Sequence, residues 1–151
     1  MPFKIHQIDH VELTVPSRFE AAKWYSQVLG LEIIDELKFW ADDPNGPLMI
    51  ATPSGDTKLA LFRGESEGSI PGNGFHLVAF RTDAENFLSF LDELASLDLK
   101  DCKGQAVNRH SVANHKQAFS IYFCDPWQNQ LEITCYENAV VRKRLGHEES
   151  N

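Results

Sequence analysis

Three residues have the types and the placement to hold a metal ion: His10, His76 and Glu132. Each lies at a matching place in one of two similar halves. The first half opens with Ile8-Asp9-His10-Val11-Glu12-Leu13-Thr14-Val15 and the second with Gly74-Phe75-His76-Leu77-Val78-Ala79-Phe80-Arg81. Each half closes on a short apolar run, Lys58-Leu59-Ala60-Leu61 in one and Gln130-Leu131-Glu132-Ile133 in the other, so Ala60 stands where Glu132 has its carboxylate. Neutral imidazoles and an ionised carboxylate brought together from separate elements suit a divalent cation. A set of two histidines and one carboxylate with open positions favours Fe(II), while Mn(II), Zn(II), Ni(II) or Co(II) also fit. A single strand histidine is more often a hydrogen-bonded core or surface residue. What favours metal here is that both histidines occupy the same place in a repeat, with a carboxylate inside an apolar strand where an unpaired charge is costly.

Such residues need elements to aim them. In the first strand His10, Glu12 and Thr14 alternate with Val11, Leu13 and Val15, which predicts a polar face and an apolar face. Around Glu132 the same alternation groups Gln130, Thr134 and Tyr136 with the carboxylate and sets Leu131, Ile133 and Cys135 opposite. The pattern is less clear at His76, because alternation puts Val78 and Phe80 on its face. Ser17-Arg18-Phe19-Glu20 has capping-box spacing and predicts a helix ending at Gly30. Strands are predicted over about 31–37, 47–52 and 57–63. The second half repeats this order with a strand near 75–81, a helix over 84–97 capped by Asp83, and strands near 105–109, 118–124 and 130–136. The expectation is an α+β fold of two tandem βαβββ modules forming a cupped mixed sheet with helices on its outer face. Module one spans about 6–63, a Gly, Ser, Glu and Pro-rich linker 64–73, module two about 74–137, and a charged tail 138–151, frayed from Arg142 onward, in which His147 is a solvent-exposed residue.

The chain has 151 residues, 42% of them hydrophobic, with 10 Phe and 3 Trp, enough for one domain with a buried core. Its opening residues do not read as a signal peptide, and no run of about 18 apolar residues occurs. A soluble cytoplasmic protein is expected. Cys102, Cys124 and Cys135 are an odd number without metal-knuckle or CxxC spacing, which predicts small buried apolar side chains rather than a disulfide framework. A net charge of −8 would repel a phosphate backbone, so neither nucleic acid nor a membrane is an expected partner.

The sequence resembles the vicinal oxygen chelate superfamily, which includes glyoxalase I, bleomycin-resistance proteins, fosfomycin-resistance enzymes and extradiol dioxygenases. The resemblance spans about 8–136 and is carried by Ile8-Asp9-His10-Val11, by the helix text from Phe19-Glu20-Ala21-Ala22-Lys23-Trp24-Tyr25 to Gly30-Leu31, by Gly74 to Phe80, and by Ser120-Ile121-Tyr122-Phe123-Cys124-Asp125-Pro126 leading to Asn129-Gln130-Leu131-Glu132. It implies paired modules, a divalent metal and a small substrate bound through one or two oxygens. Homodimers are common in the family.

Within that family the block from His115 to Glu132 looks like the extradiol signature, matched by His115, Ile121-Tyr122, Asp125-Pro126 and Glu132. The resemblance implies that His115 hydrogen-bonds oxygen or substrate and that Tyr122 donates to a substrate oxygen. Gln128 departs from the glycine usual there, which predicts a differently shaped loop. A second departure is that no histidine lies between His10 and His76, where extradiol enzymes have a base. Glyoxalase I uses a carboxylate from both closing strands, and Ala60 lacks one. Fosfomycin-type transferases share the three ligands and a tyrosine like Tyr122, with Arg142 a loose match for their following basic residue, but their substrate lysine falls near Val112. The leading expectation is therefore a metal-dependent enzyme most like a ring-cleaving dioxygenase. A non-redox isomerase, lyase or thiol transferase is the alternative. A non-catalytic binding protein, its cup lined by aromatics such as Phe39, Trp40, Phe62 and Trp127, stays open as a third.

Overall fold

The Ser17 hydroxyl accepts a hydrogen bond from the Glu20 amide, and from there helix α1 (Arg18–Leu29) runs to Gly30, whose φ of 69° ends it as glycine readily does. The helix thus has the predicted bounds. The structure, a computed structural model, describes residue 4, residues 6–64 and residues 77–146. It divides the chain into two compact units, Met1–Glu67 and Gly68–Asn151.

In the first unit β1 (His10–Val15), β2 (Glu32–Ile33), β3 (Leu48–Ala51) and β4 (Lys58–Arg63) form one sheet in the order β1-β4-β3-β2, with β1 and β4 parallel and the other pairs antiparallel. Helix α1 packs on this sheet, and Val15, Tyr25, Leu48, Ile50, Leu59 and Leu61 form its core. The alternation read in β1 holds, since His10 and Glu12 are exposed while Val15 is fully buried. The predicted strand over 31–37 does not form at that length. Glu32 and Ile33 pair with β3, Ile34 adds one bond to the Met49 carbonyl, and Asp35–Asp42 winds into a 3-10 helix. The cause is non-local: the Arg18 guanidinium donates to the carbonyls of Ala41, Asp43 and Gly46, which gathers this segment onto the start of α1. Strand propensity at short range carries no information about such a clasp.

The second unit repeats the order. Strands β5 (Val78–Arg81), β6 (Ala113–Asn114), β7 (Phe119–Cys124) and β8 (Gln130–Cys135) form a sheet in the order β5-β8-β7-β6, again with only the first pair parallel. Helix α2 (Ala84–Leu97) is capped by Asp83, whose carboxylate accepts from the Asn86 amide at 2.8 Å, and it buries Phe87, Leu88, Leu91 and Leu94. The fold is α+β, two tandem βαβββ modules with one four-stranded mixed sheet each.

Three expectations are corrected here. No strand forms over 105–109: Ala106 makes a single bridge to Lys100, and Arg109–Ser111 is a 3-10 turn capped by Asn108. The region after Tyr136 is not frayed at Arg142 but forms helix α3 (Asn138–Leu145), because Arg142 donates to the Lys116 carbonyl at 2.8 Å and stacks its guanidinium on Phe119. Cys102 and Cys124 form a disulfide, with Cα atoms 5.2 Å apart, leaving Cys135 free and buried. Lys100 bridges to both Ala106 and Cys124 and so folds the turn bearing Cys102 onto the end of β7. A separation of 22 residues gave no hint of it. Among the described residues no helix is long and apolar enough to cross a membrane.

Candidate functional site

Glu132 sits at the middle of β8 between fully buried Leu131 and nearly buried Ile133, and its own side chain lies on the opposite, more open face. Antiparallel register sets Tyr122 of β7 directly across from it, and parallel register sets Ala79 of β5 on its other side. Opposed residues in a sheet share a face, so Tyr122, Glu132 and Ala79 stand in one row. His115, in the turn between β6 and β7, completes the group, with its Nε2 3.0 Å from the Tyr122 hydroxyl and its ring edge-on to the phenol. Sequence reading therefore named three residues that the fold of the second unit brings together. Loss of water around the phenol first, then the negative charge of Glu132, raises the Tyr122 pKa above its ordinary value. Both causes favour the neutral phenol.

Tyr122 also borders an open pocket of about 300 Å³ whose wall includes Lys103, Gln105 and Gln130. That volume is at the small end of small-molecule sites, which run from about 300 to 1,000 Å³. The turn that feeds β8 is fixed by Asp125, which is 2% exposed and accepts from the amides of Trp127 (2.9 Å) and Asn129 (2.8 Å) and from the Asn129 side chain (2.7 Å). Gln128 has a φ of 73° in this turn, the left-handed region where glycine is at ease. The backbone conformation a glycine would favour is present although the side chain is Gln.

In the first unit His10 opens β1 on the exposed face. Its Nδ1 lies 2.8 Å from Asp9 Oδ2, and Lys58 Nζ donates to Asp9 Oδ1 at 2.8 Å. Lys58 first and His10 second hold the Asp9 carboxyl below its usual range. The other ring nitrogen, Nε2, stands 3.8 Å from Glu12, beyond hydrogen-bonding distance. Asp9 and Lys58 were missed in the sequence; the one clue to Lys58 is its direct cross-strand register with His10. Ala60 pairs with Glu12 across the β1–β4 ladder, as Glu132 pairs with Ala79 across β5–β8. Each parallel ladder therefore carries one Ala–Glu pair, with the carboxylate on the opening strand in one unit and on the closing strand in the other.

His76 lies outside the described residues, as does His147. The register pairs Val78 with Leu131 and Phe80 with Ile133, on the face away from Glu132. Among the described residues no three His, Cys, Asp or Glu side chains form a ready-made metal cluster. Arg142 is engaged with Asn138, Lys116 and Phe119, a structural role that leaves it no evident part in anion binding. Phe39 and Trp40 lie exposed on the 3-10 helix with ring centroids 5.7 Å apart, while Phe62 and Trp127 are half-buried.

Comparison with solved structures finds the same fold repeatedly. A glyoxalase/dioxygenase from Nostoc punctiforme aligns over 86% of this chain and 90% of its own, with a TM-score of 0.63 and 22% identity. The genomically encoded fosfomycin resistance protein FosX from Listeria monocytogenes, complexed with Mn(II) and sulfate, aligns over 93% and 98% with a TM-score of 0.62 and 14% identity. The oxidase ChaP-H2 aligns over 87% and 94% with a TM-score of 0.59 and 18% identity. At these identities the likeness is one of fold. A comparison with curated proteins finds no match in sequence. The family model of the Glyoxalase/Bleomycin resistance protein/Dioxygenase superfamily matches residues 7–133, and with the repeated βαβββ order this makes the chain a member of that superfamily.

Proposed function

We propose that this protein is a metal-dependent enzyme acting on a small oxygen-chelating substrate, most like an extradiol ring-cleaving dioxygenase. The observation that carries the reading is the His115–Tyr122 hydrogen bond of 3.0 Å on the face and register row of Glu132, beside a pocket large enough for a small molecule. His10, His76 and Glu132 are the proposed protein ligands of one divalent cation, with Fe(II) favoured. The donor chemistry fits: His10 keeps Nε2 clear of hydrogen bonds, and Glu132 offers a carboxylate from the middle of an otherwise apolar strand. A divalent metal held there supplies a Lewis acid and a template for vicinal substrate oxygens.

The residues around it have separate duties. Tyr122, kept protonated by its surroundings, donates its phenolic proton to a developing negative charge on a substrate oxygen. As His115 Nδ1 takes up a proton from solvent, its Nε2 passes one back to the Tyr122 oxygen, so the imidazole ends neutral. Gln105 and Gln130 line the pocket with amides that orient a polar substrate, and Lys103 adds positive charge at its rim.

A non-redox reaction, as isomerase, lyase or thiol transferase, is the second reading; it is favoured by the absence of a base histidine between His10 and His76. Oxygen uptake separates the two. Anaerobically Fe(II)-loaded protein given a panel of catechols is expected to consume O₂ with formation of ring-opened product. Absence of uptake across the panel, with turnover of an epoxide or hemithioacetal by the Mn(II)- or Zn(II)-loaded form, would overturn the dioxygenase reading and leave the non-redox one. The reading carries no nucleic-acid partner, a homodimer of this chain, and a cytoplasmic location.

A further inference from the structure

We infer that Asp9 and Lys58 form a positioning pair that fixes the tautomer of His10 and presents Nε2 as its donor nitrogen; this rests on the reading of His10 as a metal ligand. The chain of contacts is short and directional. Lys58 Nζ donates to Asp9 Oδ1 at 2.8 Å, and the other oxygen of the same carboxylate lies 2.8 Å from His10 Nδ1. A carboxylate is an acceptor only, so a neutral His10 in this contact carries its proton on Nδ1 and leaves the Nε2 lone pair unprotonated. That lone pair is the one a cation requires. Metal-bound histidines commonly donate their second N–H to a carboxylate, and loss of such a partner costs about 10–100-fold in metal affinity.

The fold explains why Lys58 belongs to the arrangement. Residues His10 and Lys58 are direct partners in the parallel β1–β4 ladder, so Lys58 rises beside the histidine while Asp9 precedes it at the strand's entry. Without Lys58, a carboxylate that is 68% exposed would sample many rotamers. With it, each oxygen has its own partner and the imidazole is turned to one orientation. Glu12, which shares the face two residues on, stands 3.8 Å from Nε2 and does not compete by a hydrogen bond. Lys58 is the less exposed member, its side chain 23% exposed, which favours a persistent contact.

The test uses the full chain with nitrogen-15-labelled histidine, metal-free and at about pH 8, above the ordinary histidine pKa of about 6.5. Long-range nitrogen–proton spectra report the tautomer, and Zn(II) titration reports affinity. Wild type is expected to show His10 with Nδ1 protonated. Asp9→Ala should move it toward the Nε2–H form and weaken Zn(II) about tenfold, the lower end of the range because Asp9 is exposed. Asp9→Asn, whose amide oxygen still accepts, should recover the wild-type tautomer and part of the affinity, and Lys58→Met should fall between Asp9→Ala and wild type. An unchanged tautomer and affinity in Asp9→Ala, with Zn(II) binding lost in His10→Ala, would overturn the positioning role while leaving the metal reading intact. Zn(II) binding that survives His10→Ala undiminished would instead remove His10 from the ligand set, and the inference with it.

Discussion

Replacing Asp125 by Ala is expected to lower unfolding free energy by about 3–6 kcal/mol, since hydrogen bonds to a charged group are worth about 1.5–3 kcal/mol each and, of the three donors that lose their acceptor, the two backbone amides cannot turn to another. Those donors are the backbone amides of Trp127 and Asn129 and the side-chain amide of Asn129, all within 2.9 Å of the carboxylate. The carboxylate is buried, so water cannot simply replace it at the two backbone groups. Asn129 also closes the turn from the other side, its carbonyl accepting from the Asp125 amide at 2.9 Å. Asp125→Asn should cost less, because one side-chain oxygen remains to accept from the backbone amides while its new amide opposes that of Asn129. Urea unfolding with an unchanged slope would measure both. A loss below about 1 kcal/mol in Asp125→Ala would show that the turn is held by other contacts. The consequence reaches function because this turn sets the register in which Tyr122 faces Glu132.

Tyr122→Phe carries the largest expected effect on catalysis, a drop in turnover of about 10²–10⁴-fold, the range for a positioned acid or base. Binding of substrate should change far less, because the ring is retained and only the hydroxyl is lost. Stability should hold, since Tyr122 is 37% exposed and its hydroxyl reaches His115 at the surface rather than a buried group. His115→Gln keeps a hydrogen-bonding group near the phenol but cannot relay a proton, so it should lower turnover less than Tyr122→Phe does. Steady-state kinetics on the substrate found by the oxygen-uptake or non-redox screens would decide this. Full turnover in Tyr122→Phe would mean that the phenol only packs beside Glu132.

Much of this arrangement was legible in the sequence because it depends on local rules. Ser17 and Gly30 bound α1, and Asp83 opens α2, since caps are written in single residues next to the elements they end. Alternation in β1 and β8 told which side chains share a face with His10 and Glu132. For β5 alternation was less telling, since Val78 and Phe80 are both apolar; the ladder pairs them with Leu131 and Ile133, and only register against a neighbouring strand could reveal which face they take. Long-range contacts were equally silent. The Arg18 clasp on residues 41–46, the anchoring of α3 by Arg142, and the Cys102–Cys124 bond each join segments whose spacing follows no motif. Asp9 and Lys58 were missed for a related reason: an exposed acid beside a histidine is unremarkable until the parallel ladder brings a lysine across to hold it.

The reciprocal Ala–Glu pairs put the carboxylate on different strands of the two modules despite their shared topology. In the first, the carboxylate of Glu12 sits two residues beyond His10 on the same strand; in the second, Glu132 and Tyr122 face each other across an antiparallel ladder. Among the described residues the second module sets a phenol directly across a strand pair from its carboxylate, so on the proposed reading it is the one in which acid chemistry is expected.

The most direct test of the central claim is metal stoichiometry after anaerobic loading with Fe(II), Mn(II) and Zn(II), comparing wild type with Glu132→Ala. The account predicts about one equivalent per chain in wild type, none in the variant, and a preference for Fe(II). Equal, negligible metal in both proteins would contradict it and leave a ligand-binding module of the same fold.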